Sequence, residues 1–174
     1  MAADISDLLT ARIRDVPDYP QPGILFKDIT PLLADGPAFV ATIGALAAGY
    51  EGVSKVAGIE ARGFILAAPV ACVLGAGFVP VRKQGKLPAQ TYAESYELEY
   101  GVATLEVHTD AFHPTDQVLI VDDVLATGGT AAATAELIRR SGASVVGIVV
   151  LLELGFLGGR GKLAGLQIRS LVRV

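Results

Sequence analysis

The chain carries one cysteine, Cys72, in 174 residues. That count excludes an intrachain disulfide and any zinc site built from cysteines. The two histidines, His108 and His113, lack metal-ligand spacing and read as surface or strand-end residues. Long apolar runs are missing too. Stretches such as 145–152 fall well short of the roughly 20 residues a membrane-spanning helix needs. Asp4 and Asp7 stand where a signal peptide would carry basic residues before an apolar core, so none is visible. There is no basic run and the net charge is −4, which argues against nucleic acid as a partner. Repeats, low-complexity tracts and linkers are likewise absent. Gly158-Gly159-Arg160-Gly161-Lys162 resembles a phosphate loop only superficially, because the Walker spacing is missing.

What the chain has is apolar weight, 52% hydrophobic residues with a mean hydropathy of +0.51. That favours a sheet covered on both faces, a subunit interface, or both. Cys72, in an Ala/Val/Leu run, reads as a core filler. Apolar spacing at Ile5, Leu8, Leu9 and Ile13 predicts a helix over 4–14, ended by Pro17, with a turn over 19–23. Helices are expected over 39–50, from 62 to 72 or 74, and among the alanines as far as about Arg140. Strands are expected over 55–59, 78–82, 102–108, 118–121, 145–151 and 166–172. Polar residues 83–101, with Gly85, Pro88 and three tyrosines, read as a long excursion rather than core. Alternating strands and helices with short connections imply a mostly parallel α/β sheet flanked by helices. Its functional loops would gather beyond the strand ends.

The richest stretch runs from Val118 to Ala133. An apolar run, 118–121, ends in two adjacent carboxylates, Asp122 and Asp123. A loop of small residues, Ala126, Thr127, Gly128, Gly129 and Thr130, then opens a helix. Backbone N–H groups, two hydroxyls and a helix N-terminus suit a phosphate dianion. The carboxylates accept only, which suits sugar hydroxyls. A plain turn would account for Gly-Gly, and a helix cap for one Asp. Two consecutive Asp at the end of a buried strand carry desolvation and repulsion that a ligand would offset. The parts together describe a socket for a ribose 5-phosphate.

This stretch resembles the phosphoribosyl pyrophosphate (PRPP) motif of the type I phosphoribosyltransferases. Four further segments follow the same family in order and spacing: Phe26-Lys27-Asp28-Ile29-Thr30-Pro31, Glu60-Ala61-Arg62-Gly63-Phe64, Arg82-Lys83-Gln84-Gly85-Lys86-Leu87-Pro88 and Tyr96-Glu97-Leu98-Glu99-Tyr100-Gly101. Together they resemble its adenine-using branch, from near Arg12 to the C-terminus. The resemblance implies a single domain over 1–174 with a mostly parallel central sheet flanked by helices. It adds a small hood, made by the N-terminal segment and the residues after 154, and a flexible active-site loop over about 83–101. The implied reaction is purine salvage, with adenine and PRPP giving AMP and pyrophosphate.

By that resemblance Ala126, Thr127, Gly128, Gly129 and Thr130 hold the 5-phosphate, and Asp122 and Asp123 the ribose hydroxyls. Arg62, with the Ala61 and Gly63 backbone, resembles the pyrophosphate loop, where the family often has a cis peptide before the Ala61 position. Arg82 and Lys86 resemble residues that reach the pyrophosphate, Lys86 from its own or a neighbouring subunit; alone they read as solvated loop cations. Mg2+ is expected on PRPP oxygens, with no residue as a direct metal ligand. Phe26 resembles the residue that stacks on adenine, with Leu154 on the other face and the Leu25 and Lys27 backbones at the base edge. Without the family, Phe26 reads as an ordinary core aromatic. Relatives with Arg at the Lys27 position have a guanidinium fork that Lys lacks, though a backbone role is unaffected.

Glu99 and Tyr100 resemble lid residues, Glu99 as acid/base toward the purine, and with Arg62 they form the implied catalytic set. Read alone, Glu99 is a solvated carboxylate beside Glu94 and Glu97. Tyr92 and Tyr96 are weaker lid candidates. A homodimer, a cytoplasmic location, and neither nucleic acid nor membrane as partner complete the expectation. Two alternatives stand beside it: a 6-oxopurine phosphoribosyltransferase, and a non-catalytic regulator of the same fold that senses PRPP or a purine.

Overall fold

The computed structural model describes residues 5–97 and 101–174. Helix α1 (Ile5–Thr10) leads into an antiparallel hairpin of β1 (Arg14–Pro17) and β2 (Leu25–Asp28). Helices α2 (Thr30–Ala34) and α3 (Gly36–Ala47) follow, then β3 (Lys55–Ile59), α4 (Arg62–Leu74), β4 (Gly77–Lys83), β5 (Thr91–Glu97) and β6 (Val102–His108). The chain continues through β7 (Gln117–Leu125), α5 (Gly129–Arg140) and β8 (Ser144–Glu153) to β9 (Ile168–Arg173). Two 3-10 turns, Gly155–Leu157 and Gly159–Leu163, lie between β8 and β9. No helix among the described residues is long and apolar enough to cross a membrane.

Seven strands form the main sheet in the order β5-β6-β4-β3-β7-β8-β9. The five from β4 to β9 pair in parallel, and β5 and β6 add an antiparallel edge. Successive residues of a strand face opposite sides. Thus Leu119 and Val121 join a core with Leu9, Leu46 and Leu66, while Ile120 joins one with Ile59, Leu137 and Ile148. Both faces are covered, so β7 and β8 read as nearly unbroken apolar runs. Local signals set the helix ends. The Asp35 side chain accepts from the Ala38 N–H at 3.1 Å to cap α3, and Gly75 closes α4 in a left-handed turn, φ 64°.

Several expectations need correction. The first helix stops at Thr10, and Pro17 ends a strand rather than a helix. Residues 91–97 are strand β5, so much of the expected excursion belongs to the sheet. Strand β7 runs on through both carboxylates to Leu125. Cys72 is exposed, because α4 turns Val70 and Ala71 inward and rotates the next position out.

The topology fixes where a ligand goes. Strand β3 pairs in parallel with β4 on one side and β7 on the other. Connections leaving β3 and β7 therefore depart in opposite directions and open a crevice beyond their C-terminal ends.

Candidate active site

The Glu60–Ala61 peptide, just past β3, is cis, and Arg62 opens α4 from it. A methyl group on Gly63 would lie 2.7 Å from Asp122 Oδ1 and 3.2 Å from the Val121 carbonyl oxygen. Only a glycine lets the helix start this close to the strand that carries the carboxylates. A cavity of about 480 Å³ occupies the crevice, a size typical of small-molecule clefts. Asp122, Asp123, Arg62, Phe26 and Leu154 share its wall, as do Ala61, Leu25, Lys27, Ala126 and Thr130. A second recess of about 50 Å³ is lined by Asp122, Ala126, Thr127, Gly128 and Thr130, among others.

Burial pushes the Asp122 carboxyl well above the usual carboxylate range, and the Asp123 charge adds to it. Asp123 is pushed up by burial as well, against the pull of Arg62. Arg62 Nε lies 2.8 Å from Asp123 Oδ2, yet this buried oxygen accepts no hydrogen bond among the described residues. The ion pair lacks the alignment of a hydrogen bond. The guanidinium covers this oxygen, so a ligand hydroxyl would reach it by displacing Arg62.

Helix α5 starts at Gly129 after Gly128 at φ 79°. Its first helical bond runs from Ala132 N–H to the Gly128 carbonyl at 2.9 Å, so the N–H groups of Gly129, Thr130 and Ala131 have no partner within the helix. They form the anion-seeking end of the site.

Arg82 and Lys86 converge on Glu60, for which the sequence alone suggests no role. Arg82 Nε is 3.3 Å from Glu60 Oε2, the Lys83 N–H donates to the same oxygen at 3.0 Å, and Lys86 Nζ pairs with Oε1. Burial pushes the Glu60 carboxyl up, but bonds from Lys86 and Lys83 and the two cationic charges outweigh it and hold it below the usual range. The signal available in the sequence was a run of cations, Arg82, Lys83 and Lys86, with no acid beside them.

Phe26 is half-buried rather than locked in the core. The Arg62 guanidinium carbon stands 5.1 Å from its ring centroid and the Tyr19 ring meets it edge-on at 5.1 Å. Lys27 Nζ is 2.6 Å from Asp15 Oδ1 across the hairpin, so its ammonium is already engaged and a backbone role remains open. Tyr96 also lines the cavity, and a methyl on Gly129 would come within 2.9 Å of its ring. Arg140 fastens β5 to α5, donating to the Ala93 carbonyl at 2.7 Å and standing 5.3 Å from the Tyr92 ring centroid. Tyr92 is thus turned to Arg140 and Tyr96 to the cavity. Glu99 and Tyr100 lie outside the described residues.

A sequence model of the phosphoribosyl transferase domain matches residues 32–160. The adenine phosphoribosyltransferase of Acidothermus cellulolyticus is 63% identical over 174 residues, covering 99% of this chain and 98% of the relative. The crystal structure of adenine phosphoribosyltransferase from Rhodothermus marinus superposes with a TM-score of 0.94 at 51% identity, over 99% of both chains. The Saccharomyces cerevisiae enzyme, solved with adenine and an imino-altritol bisphosphate, gives 0.92 at 36% identity over 97% of this chain and 99% of that one.

Proposed function

Since this chain belongs to the phosphoribosyl transferase family, we infer that it moves the 5-phosphoribosyl group of PRPP to N9 of adenine, giving AMP and pyrophosphate in purine salvage. The observation that carries this reading is the make-up of one cavity wall. Paired carboxylates that lead to the N-terminus of α5 share that wall with the apolar faces of Phe26 and Leu154. The first group suits a phosphorylated sugar and the second a flat base.

In the reaction the bond from C1 of the ribose to pyrophosphate breaks, the bond from C1 to N9 forms, and N9 loses its proton. Residues 126–130 take the 5-phosphate, and Asp122 and Asp123 accept from the ribose hydroxyls. Arg62, Arg82 and Lys86 offset charge on the departing pyrophosphate. The substrate is PRPP as its Mg2+ complex. The two carboxylates on the cavity wall, Asp122 and Asp123, fit ribose hydroxyls or metal-bound waters equally. Glu99, with Tyr100, takes the acid/base role toward the purine. Apolar side chains left exposed on α3 and α4, Val40 and Val73, support a homodimer, and the substrates support a cytoplasmic setting.

The test supplies PRPP with adenine, hypoxanthine and guanine in competition. AMP and pyrophosphate should form in preference to the 6-oxopurine nucleotides. Preference for a 6-oxopurine, or no nucleotide from any base, would overturn the reading.

A further inference from the structure

The segment Gly158-Gly159-Arg160-Gly161-Lys162, which lacks Walker spacing, packs behind the phosphate loop. A methyl group on Gly159 would collide with the Ala126 carbonyl oxygen and lie 3.0 Å from the Gly128 nitrogen; one on Gly128 would collide with the Gly159 carbonyl. The two backbones touch with no side chain between them. The next residue fixes this contact. Arg160 grips Glu153 with both prongs of its guanidinium, at 2.8 and 2.7 Å, and donates to the Ile168 carbonyl at 3.2 Å. Glu153 is only 3% exposed and also accepts from Ser170 Oγ at 2.8 Å. It ends β8 opposite Leu125, the last residue of β7, and the Leu154 N–H donates to the Leu125 carbonyl at 2.9 Å. The segment is therefore bolted to the sheet at the point where the phosphate loop leaves it.

We propose that Gly159 and Arg160 are positioning residues that brace the 5-phosphate loop from behind. Among the described residues neither lines the cavity or the smaller recess, so any effect on substrate passes through the loop. N–H donors bind a phosphate well only when their directions are held, and this loop of small residues has little of its own to hold them. The brace rests on the assignment of residues 126–130 to the 5-phosphate.

Calorimetric titration with ribose 5-phosphate and the steady-state KM for adenine test it together. Gly159→Ala should weaken ribose 5-phosphate roughly 10–100-fold, the cost of a small misplacement of binding groups, with the adenine KM held within about twofold. Gly161→Ala, in the same segment but with open space at its Cβ, should change neither. Arg160→Gln removes the fork without adding volume and should weaken ribose 5-phosphate in the same sense, with Arg160→Lys intermediate. Those two variants decide the matter if Gly159→Ala does not fold. Variants that melt normally and bind ribose 5-phosphate like the wild type overturn the brace, as does an equal loss for both ligands. A wild-type chain that does not bind ribose 5-phosphate overturns the loop assignment itself, and the brace with it.

Discussion

Asp122 and Asp123 are held at the limit of what a folded chain tolerates, half-buried or buried, adjacent and like-charged. A carboxyl whose folded pKa is raised binds its proton more tightly in the folded chain. Its contribution to stability therefore falls as pH climbs from the ordinary carboxylate range through the raised value. Asp122→Asn combined with Asp123→Asn should melt higher than wild type at pH 7, the gain vanishing below about pH 4. Turnover of PRPP should collapse, since each charge-assisted acceptor contributes about 1.5–3 kcal/mol. Melting curves across pH, set beside the rate of AMP formation, check both halves. A normally folded double variant with near wild-type activity removes the ribose assignment. At this scale the sequence was legible where chemistry is concentrated, as in the paired Asp and the Gly-Gly that follows. It was not legible where role depends on direction. Glu60 matters because Arg82 at the end of β4 and Lys86 in the turn beyond it point at it, and Cys72 is exposed because of a rotation of one helical step.

Among the elements, the parallel strands announced themselves by apolar runs, and the ones that were missed are held by charge. Strand β1 has no apolar alternation. It is pinned to β2 by cross-strand pairs, Arg14 with Asp28 at 2.8 Å and Lys27 with Asp15. Strand β5 does alternate, with Tyr92, Glu94 and Tyr96 turned inward, but the inward Glu94 conceals the pattern. Arg140, 3.5 Å away, makes that acid tolerable there. Glu153 shows the same principle at the end of β8. The Arg160 fork draws its pKa down to about 2 against the effect of burial, with Ser170 and the charges of Arg160 and Arg173 adding to the pull. A depressed carboxyl pKa contributes stability that is present above the ordinary value and lost as pH falls toward the folded one. Glu153→Gln should therefore destabilise the chain by about 1–3 kcal/mol at pH 7. The gap to wild type should close as pH drops from about 4 toward 2. Thermal melts at neutral and acid pH measure it; a gap that stays constant with pH would deny Glu153 its ionic role.

For the whole molecule, composition already pointed to a sheet covered on both faces, and the two cores on either side of it account for much of the apolar weight. What composition could not apportion was the apolar surface left over, including Val40 at 70% and Val73 at 60% exposed. Light scattering of the purified chain should give about twice its 18.0 kDa mass; a monomer at micromolar concentration would leave those residues without the partner surface proposed for them. The net charge of −4 is also unevenly spent. Arg62 is matched by Asp123, and Arg82 and Lys86 by Glu60. On the proposed assignment of these three cations to pyrophosphate, a highly anionic substrate would enter a site that already carries its own counterions. Binding would then be an exchange of carboxylate for phosphate within the protein rather than a release of anions to solution. PRPP affinity should accordingly depend on ionic strength less steeply than three solvent-paired cations would dictate.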